Sequence, residues 1–103
     1  MPDHDFGELY SRYPSIIEQM PETFTSHQFI LELARLNQIQ YIEALFSYRM
    51  HMHRGAPAPF MIVHGILAQN LLQFPDLVEQ TRKDIPSKNI FGEDAGSSEW
   101  QKV

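Results

Sequence analysis

The chain has 103 residues, of which 43% are hydrophobic and 12% aromatic, and it contains no cysteine. This length and apolar share favour one globular domain over residues 1–103 and exclude a disordered chain. The lack of cysteine excludes disulfides, thiolate metal sites and a cysteine nucleophile, and the net charge of −5 argues against strong non-specific binding to nucleic acid.

The N-terminal segment, residues 1–22, is predicted to be helical. Apolar residues recur at spacings of three and four from Leu9 to Met20, which gives one apolar face. Pro14 interrupts the pattern and could open a second short helix, since proline suits a first turn. The acidic start of the chain, Met1 to Asp5, is unlike a signal or transit peptide, so we expect a cytoplasmic protein.

Residues 23–74 are predicted to form the helical core. Thr25 and Gln28 match a capping box, in which the two side chains bond to each other's backbone N–H groups. Asn37 and Gln40 could repeat that pattern and divide the segment into helices over 25–36 and 38–51. The alternative is one long helix; we favour the split.

The last predicted helix runs from Pro59 to Phe74, after a loop rich in proline and glycine. It is apolar around most of its circumference, so we expect it to be largely buried, with His64 as a hydrogen-bonded core residue. Its polar interruptions and its length exclude a membrane span, and no membrane partner is expected.

The helical pattern ends after Asp84. Two short strands are predicted around 78–85 and 98–103, with a loop of about a dozen residues between them. The predicted fold class is therefore mainly α, with a small C-terminal β-hairpin in residues 78–103.

No motif of an enzyme is present, and we predict no catalytic residue, metal site or cofactor. His51 and His53 lie two positions apart, a spacing at which two side chains diverge on a helix. An exposed pair near a helix C-terminus is the favoured interpretation, because that position suits a cationic imidazole. A metal protein built around the histidines is the least favoured alternative.

The chain from Thr23 onward resembles a winged helix-turn-helix domain in its order of elements. Residues 23–30 resemble the short strand and capped helix near the start of such domains, and Pro59 to Phe74 takes the position of the recognition helix. The tail from Arg82 to Trp100 resembles a wing. The resemblance implies a winged-helix-like fold with an extra N-terminal helix, and a DNA-binding or regulatory role. One departure is that no Arg or Lys lies between Pro59 and Phe74.

The charge pattern and the resemblance together predict a weak DNA-binding surface. Residues 44–91 have a charge of +2, whereas residues 1–22 have a charge of −4. Basic side chains there could contact phosphates without reading the base sequence. The candidate residues are Arg49, His51, His53, Arg54, Arg82, Lys83 and Lys88.

The alternative function is a protein-interaction or homodimerisation module without DNA binding. It would use the apolar excess of the helix over residues 60–72, together with the Tyr and Met residues at 48–52. Such a module predicts self-association at micromolar concentration and no salt-sensitive binding to DNA.

Overall fold

A computed structural model describes residues 5–49 and 59–103. The described residues form five α-helices, one 3₁₀ turn and three β-strands. In chain order these elements are α1 (Gly7–Tyr10), α2 (Tyr13–Gln19), β1 (Thr23–Thr25), α3 (Ser26–Leu36), α4 (Gln38–Ser47), α5 (Pro59–Gln69), the 3₁₀ turn (Asn70–Gln73), β2 (Val78–Lys88) and β3 (Asp94–Lys102).

The fold class is α+β, so the prediction of a mainly α domain was wrong. The three strands form one antiparallel sheet in the order β1-β3-β2. The C-terminal hairpin is therefore not an appendage, because β3 also pairs with β1 and places Trp100 opposite Phe24. A strand as short as β1 has too few residues for its apolar alternation to be recognised in a sequence.

The hairpin strands are also longer than predicted, and the turn between them is short. Strand β2 lies at the edge of the sheet, where Pro86 can be accommodated although it lacks an N–H group. The pairing of β2 with β3 is irregular between Gln80 and Ile85, and Asp84 within this irregularity has a φ of 53°. The Asn89 side chain closes the turn by accepting hydrogen bonds from the N–H groups of residues 91 and 93.

The predicted breaks between helices are confirmed. Helices α3 and α4 are separated at Asn37, and α3 begins with the capping box. Thr25 Oγ1 accepts from the N–H of Gln28 at 3.1 Å, and Gln28 Oε1 accepts from the N–H of Thr25 at 2.8 Å. Pro14 lies in the first turn of α2, which makes α2 a second short helix. Helix α4 ends at Ser47, so it is shorter than the predicted 38–51, and residues 50 and 51 lie outside the described part.

One core joins the helices to the sheet. Its largest fully buried side chains come from four helices, β1 and the 3₁₀ turn, and they include Tyr13, Phe24 and Phe29. Two buried polar atoms are satisfied across elements: Tyr13 Oη donates to the Leu67 carbonyl, and Trp100 Nε1 donates to Ser26 Oγ at 2.8 Å. No described helix has the length and apolar content needed to cross a membrane.

The hydrogen bond from Trp100 to Ser26 generates a stability prediction. Trp100→Phe should lower the free energy of unfolding by about 2 to 4 kcal/mol, because it opens a cavity and leaves a buried hydroxyl without its donor. Ser26→Ala should also destabilise, by leaving the indole N–H unpaired. The double variant should lose about 1 kcal/mol less than the sum of the two single changes, measured by urea unfolding. Strict additivity would contradict a direct contribution of this bond.

Candidate functional site

Arg82, a predicted phosphate contact, is bound by a carboxylate across the hairpin. Its Nε donates to Glu99 Oε1 at 3.0 Å, and its Nη2 donates to Glu99 Oε2. Thr81 Oγ1 donates to the same carboxylate at 2.9 Å. These bonds raise the pKa of Arg82 and lower the pKa of Glu99, because each group stabilises the charged form of the other. The guanidinium is therefore ion-paired within the protein, although its side chain is 63% exposed.

Lys88, the second candidate on the hairpin, is also ion-paired. Lys83 is the one hairpin candidate without an ion pair among the described residues. Lys88 Nζ lies 2.5 Å from Asp94 Oδ1, directly across the ladder. Lys83 is exposed and forms no ion pair with a described residue. Residues 78–103 contain four basic and five acidic residues, which gives 4 − 5 = −1. The hairpin therefore has a small negative net charge, and two of its three candidate phosphate contacts are ion-paired.

Of the remaining candidates, only Arg49 lies in the described part of the chain, and the packing does not bring it to the hairpin. Arg49 follows α4, and its guanidinium carbon lies 4.0 Å above the ring of Phe46. Helix α4 packs mainly on α1, α3 and α5, whereas β2 packs on β3 and the 3₁₀ turn. His51, His53 and Arg54 lie outside the described residues.

His64 is a buried, hydrogen-bonded residue, as predicted. It is 8% exposed, and its Nε2 is hydrogen-bonded to Tyr41 Oη. Its ring stacks on Tyr41 and on Phe91 at centroid distances of 5.7 and 6.1 Å. Burial lowers the pKa of His64 to about 4, with a smaller contribution from His27, and burial raises the pKa of Tyr41 to about 12. Both side chains are therefore neutral at pH 7, and the tyrosine hydroxyl is the natural donor to the imidazole.

A cleft of about 570 Å³ opens beside His64, between α3, α5 and the hairpin. Its helical side includes Ile30, Gly65 and Ala68, and its hairpin side includes Asp84 and Glu93. Apolar walls with a few convergent polar groups are typical of ligand pockets. Nothing in the sequence pointed to this cleft, because its lining comes from three segments that are far apart along the chain.

His27 closes one side of this cleft. Its Nδ1 lies 2.9 Å from Ser87 Oγ, which links the start of α3 to strand β2. Burial lowers the pKa of His27, partly offset by a backbone hydrogen bond to Lys88. No group of three or more described His, Asp or Glu side chains has a geometry that could hold a metal ion.

An exposed apolar row lies on α4. Ile39, Ile42 and Phe46 are 70%, 60% and 61% exposed. Their spacing of three and four places them on one face of the helix, opposite the buried Tyr41 and Ala44. In the sequence, these residues form a second apolar stripe on α4. The stripe that is buried in the core was enough to explain why the helix is apolar, so the second stripe was not recognised.

Comparison with protein-family models, curated proteins and solved structures finds no match to this chain. The winged-helix resemblance therefore stays a prediction, and no relative provides a residue role. The features that bear on function are the paired hairpin cations, the cleft and the α4 face.

The buried state of His64 predicts a loss of stability in mild acid. The pKa is near 6.5 in the unfolded chain and about 4 in the folded one, so below pH 6.5 protons bind preferentially to the unfolded chain. Stability is complete above pH 6.5 and falls progressively toward pH 4, by up to about 3 kcal/mol. Urea unfolding across this range measures the loss. His64→Gln should reduce the slope between pH 6.5 and 4.5, with the remainder coming partly from His27, whose pKa is also lowered by burial; an unchanged slope would contradict the assignment.

Proposed function

We propose that this chain is a small non-enzymatic protein-interaction domain that pairs with a second copy through the apolar face of α4. The supporting observation is the row of Ile39, Ile42 and Phe46, each at least 60% exposed. Exposed apolar surface costs about 25 cal/mol per Å², so covering this row with another apolar surface is favourable. Contiguous patches of this kind on a small domain mark interaction sites.

The composition of the face supports a second copy as the occupant. Beside the apolar row, α4 carries Glu43 on the same exposed side, and Arg49 stacks over Phe46 at its C-terminal end. The face therefore has one charge of each sign and no net charge, so two copies can approach without like-charge repulsion. A two-fold pairing requires such a self-complementary surface. Its apolar row is only about 10 Å long at 1.5 Å per residue, which predicts weak association.

DNA binding by a winged-helix domain is the second candidate. The strand order β1-β3-β2, with the hairpin following the last helix, supports the resemblance. The charges support it poorly, since Arg82 and Lys88 are ion-paired and α5 contains no Arg or Lys. The cytoplasmic location expected from the sequence belongs to either proposal.

Self-association is tested by changing the α4 row. Wild-type protein should show a mass that rises toward the dimer at micromolar concentrations, measured by size exclusion with light scattering. The double variant Ile39→Gln/Ile42→Gln should weaken association by about tenfold or more, because it removes apolar area from the centre of the interface. Glutamine is at least as good a helix former as isoleucine, so α4 should stay folded.

Val103→Gln is the matched control, because Val103 is 75% exposed and lies outside α4. It should associate like the wild type. A strict monomer over the whole concentration range, or equal association by the double variant, would refute the proposal.

A mobility-shift assay at two salt concentrations tests DNA binding on the same sample. We expect no salt-sensitive shift. A shift that salt weakens steeply, and that is lost in Arg82→Ala/Lys83→Ala, would favour the DNA-binding candidate instead.

A further inference from the structure

We propose that the cleft between α3, α5 and the hairpin binds a guanidinium or alkylammonium group that is carried on an apolar stem beside a carbonyl group, as in an arginine or lysine residue. The proposal concerns a surface separate from the α4 face, since no α4 residue lines the cleft. The two proposals can therefore fail independently.

The size and shape of the cleft fit a ligand of this kind. Its volume of about 570 Å³ lies within the range of about 300 to 1,000 Å³ that is typical of small-molecule sites. Gly65 faces open space: a Cβ added to it would meet no atom within 4 Å. Together with Ala68 and Ile30, it gives the cleft an apolar wall along which an alkyl stem can lie.

The charges of the lining select a cation. Asp84, Glu93 and Asp94 line the cleft, and no Lys or Arg is found among its described lining residues. Lys88 pairs with Asp94 alone. Glu93 accepts only a neutral hydrogen bond from Asn89, at 3.2 Å, and Asp84 forms no ion pair with a described residue. Two carboxylates are thus left without a cationic partner at this site.

The backbone around Asp84 keeps space open beside its carboxylate. Gly96 lies opposite, and a Cβ there would lie 3.8 Å from Asp84 Oδ1. A longer side chain at this position would occupy the approach to the carboxylate. The missing side chain leaves room for the planar head of a guanidinium, which binds a carboxylate through two parallel N–H bonds.

His64 provides an independent indication of a ligand. It is 92% buried, since its exposure is 8%, and it lines the cleft. Its Nε2 is engaged by Tyr41, whereas its Nδ1 forms no hydrogen bond with a described residue. Tyr41 Oη has no other hydrogen-bond partner among the described residues, so we assign its hydroxyl as the donor to Nε2, which leaves the proton of the neutral ring on Nδ1. That N–H has no acceptor among the described residues, and a carbonyl next to the cationic stem would satisfy it.

The test is a titration of the full chain with N-acetylargininamide, followed through its backbone amide resonances. We expect saturable shifts confined to the residues around the cleft. N-acetylcitrullinamide, the uncharged isostere, should bind about tenfold more weakly or not at all, because it lacks the charge that strengthens the carboxylate bonds. Butylguanidine, which has the same single charge, supplies the guanidinium and the apolar stem without the carbonyl, and it should bind more weakly than the amide.

Two variants and one control make the test specific. Asp84→Asn should weaken binding about tenfold without disturbing the hairpin, since asparagine tolerates the left-handed backbone at this position. Gly65→Met should fill the cleft and abolish binding while keeping α5 folded, because methionine is the better helix former. Asp76→Asn removes a carboxylate that does not line the cleft and should leave affinity unchanged.

The outcomes are decisive in either direction. Absence of saturable shifts would refute a ligand of this class. Equal binding of the citrulline compound, or unchanged affinity in Asp84→Asn with native amide spectra, would refute the role of the carboxylates. Butylguanidine binding as tightly as the amide would refute the role of the carbonyl.

Discussion

The double pairing of strand β3 is the constraint on which the rest of the structure depends. Trp100 of β3 lies between Phe24 of β1 and Gln80 of β2, and its indole N–H donates to the hydroxyl of Ser26 at the start of α3. This bond fixes the first turn of α3 against the sheet, and His27, the next residue, then reaches Ser87 of β2. The helical wall and the hairpin wall of the cleft are thereby held in one arrangement. A sheet made of the hairpin alone would leave these two walls without a common anchor.

The local features of this fold could be predicted from the sequence, because each is encoded within a few residues. The capping box at Thr25, the break at Asn37 and the burial of His64 are of this kind. The hairpin and a short strand near residue 23 were expected, but the pairing of β1 with β3 could not be predicted, because it joins residues more than seventy positions apart and β1 has only three residues. The length of β2 was underestimated because a proline such as Pro86 usually ends a strand. Strand β2 lies at the edge of the sheet, where proline is tolerated.

How the charges of the hairpin are paired could not be predicted from the sequence, for a related reason. A sequence shows how many charges lie in a segment, but the register of a hairpin decides which of them face each other. Here the register sets Arg82 across from Glu99 and Lys88 across from Asp94. Opposite charges at such positions stabilise the strand pair. Arg82 and Lys88, two of the residues that suggested phosphate contacts, therefore help to align the hairpin. Among the described residues, the apolar α4 row is left without a covering surface, and the carboxylates of Asp84 and Glu93 are left without a cationic partner.

The irregularity of β2 near Asp84 has a consequence for how copies of this domain can meet. An eleven-residue strand at the edge of a sheet is a template onto which a strand of another molecule can add, which leads to aggregation. The disturbed register, the exposed Lys83 and the missing N–H of Pro86 all interrupt that template. Growth of the sheet from molecule to molecule is thus blocked along its longest free edge. Copies can instead meet through helical surfaces such as the α4 face, where association can end at a dimer.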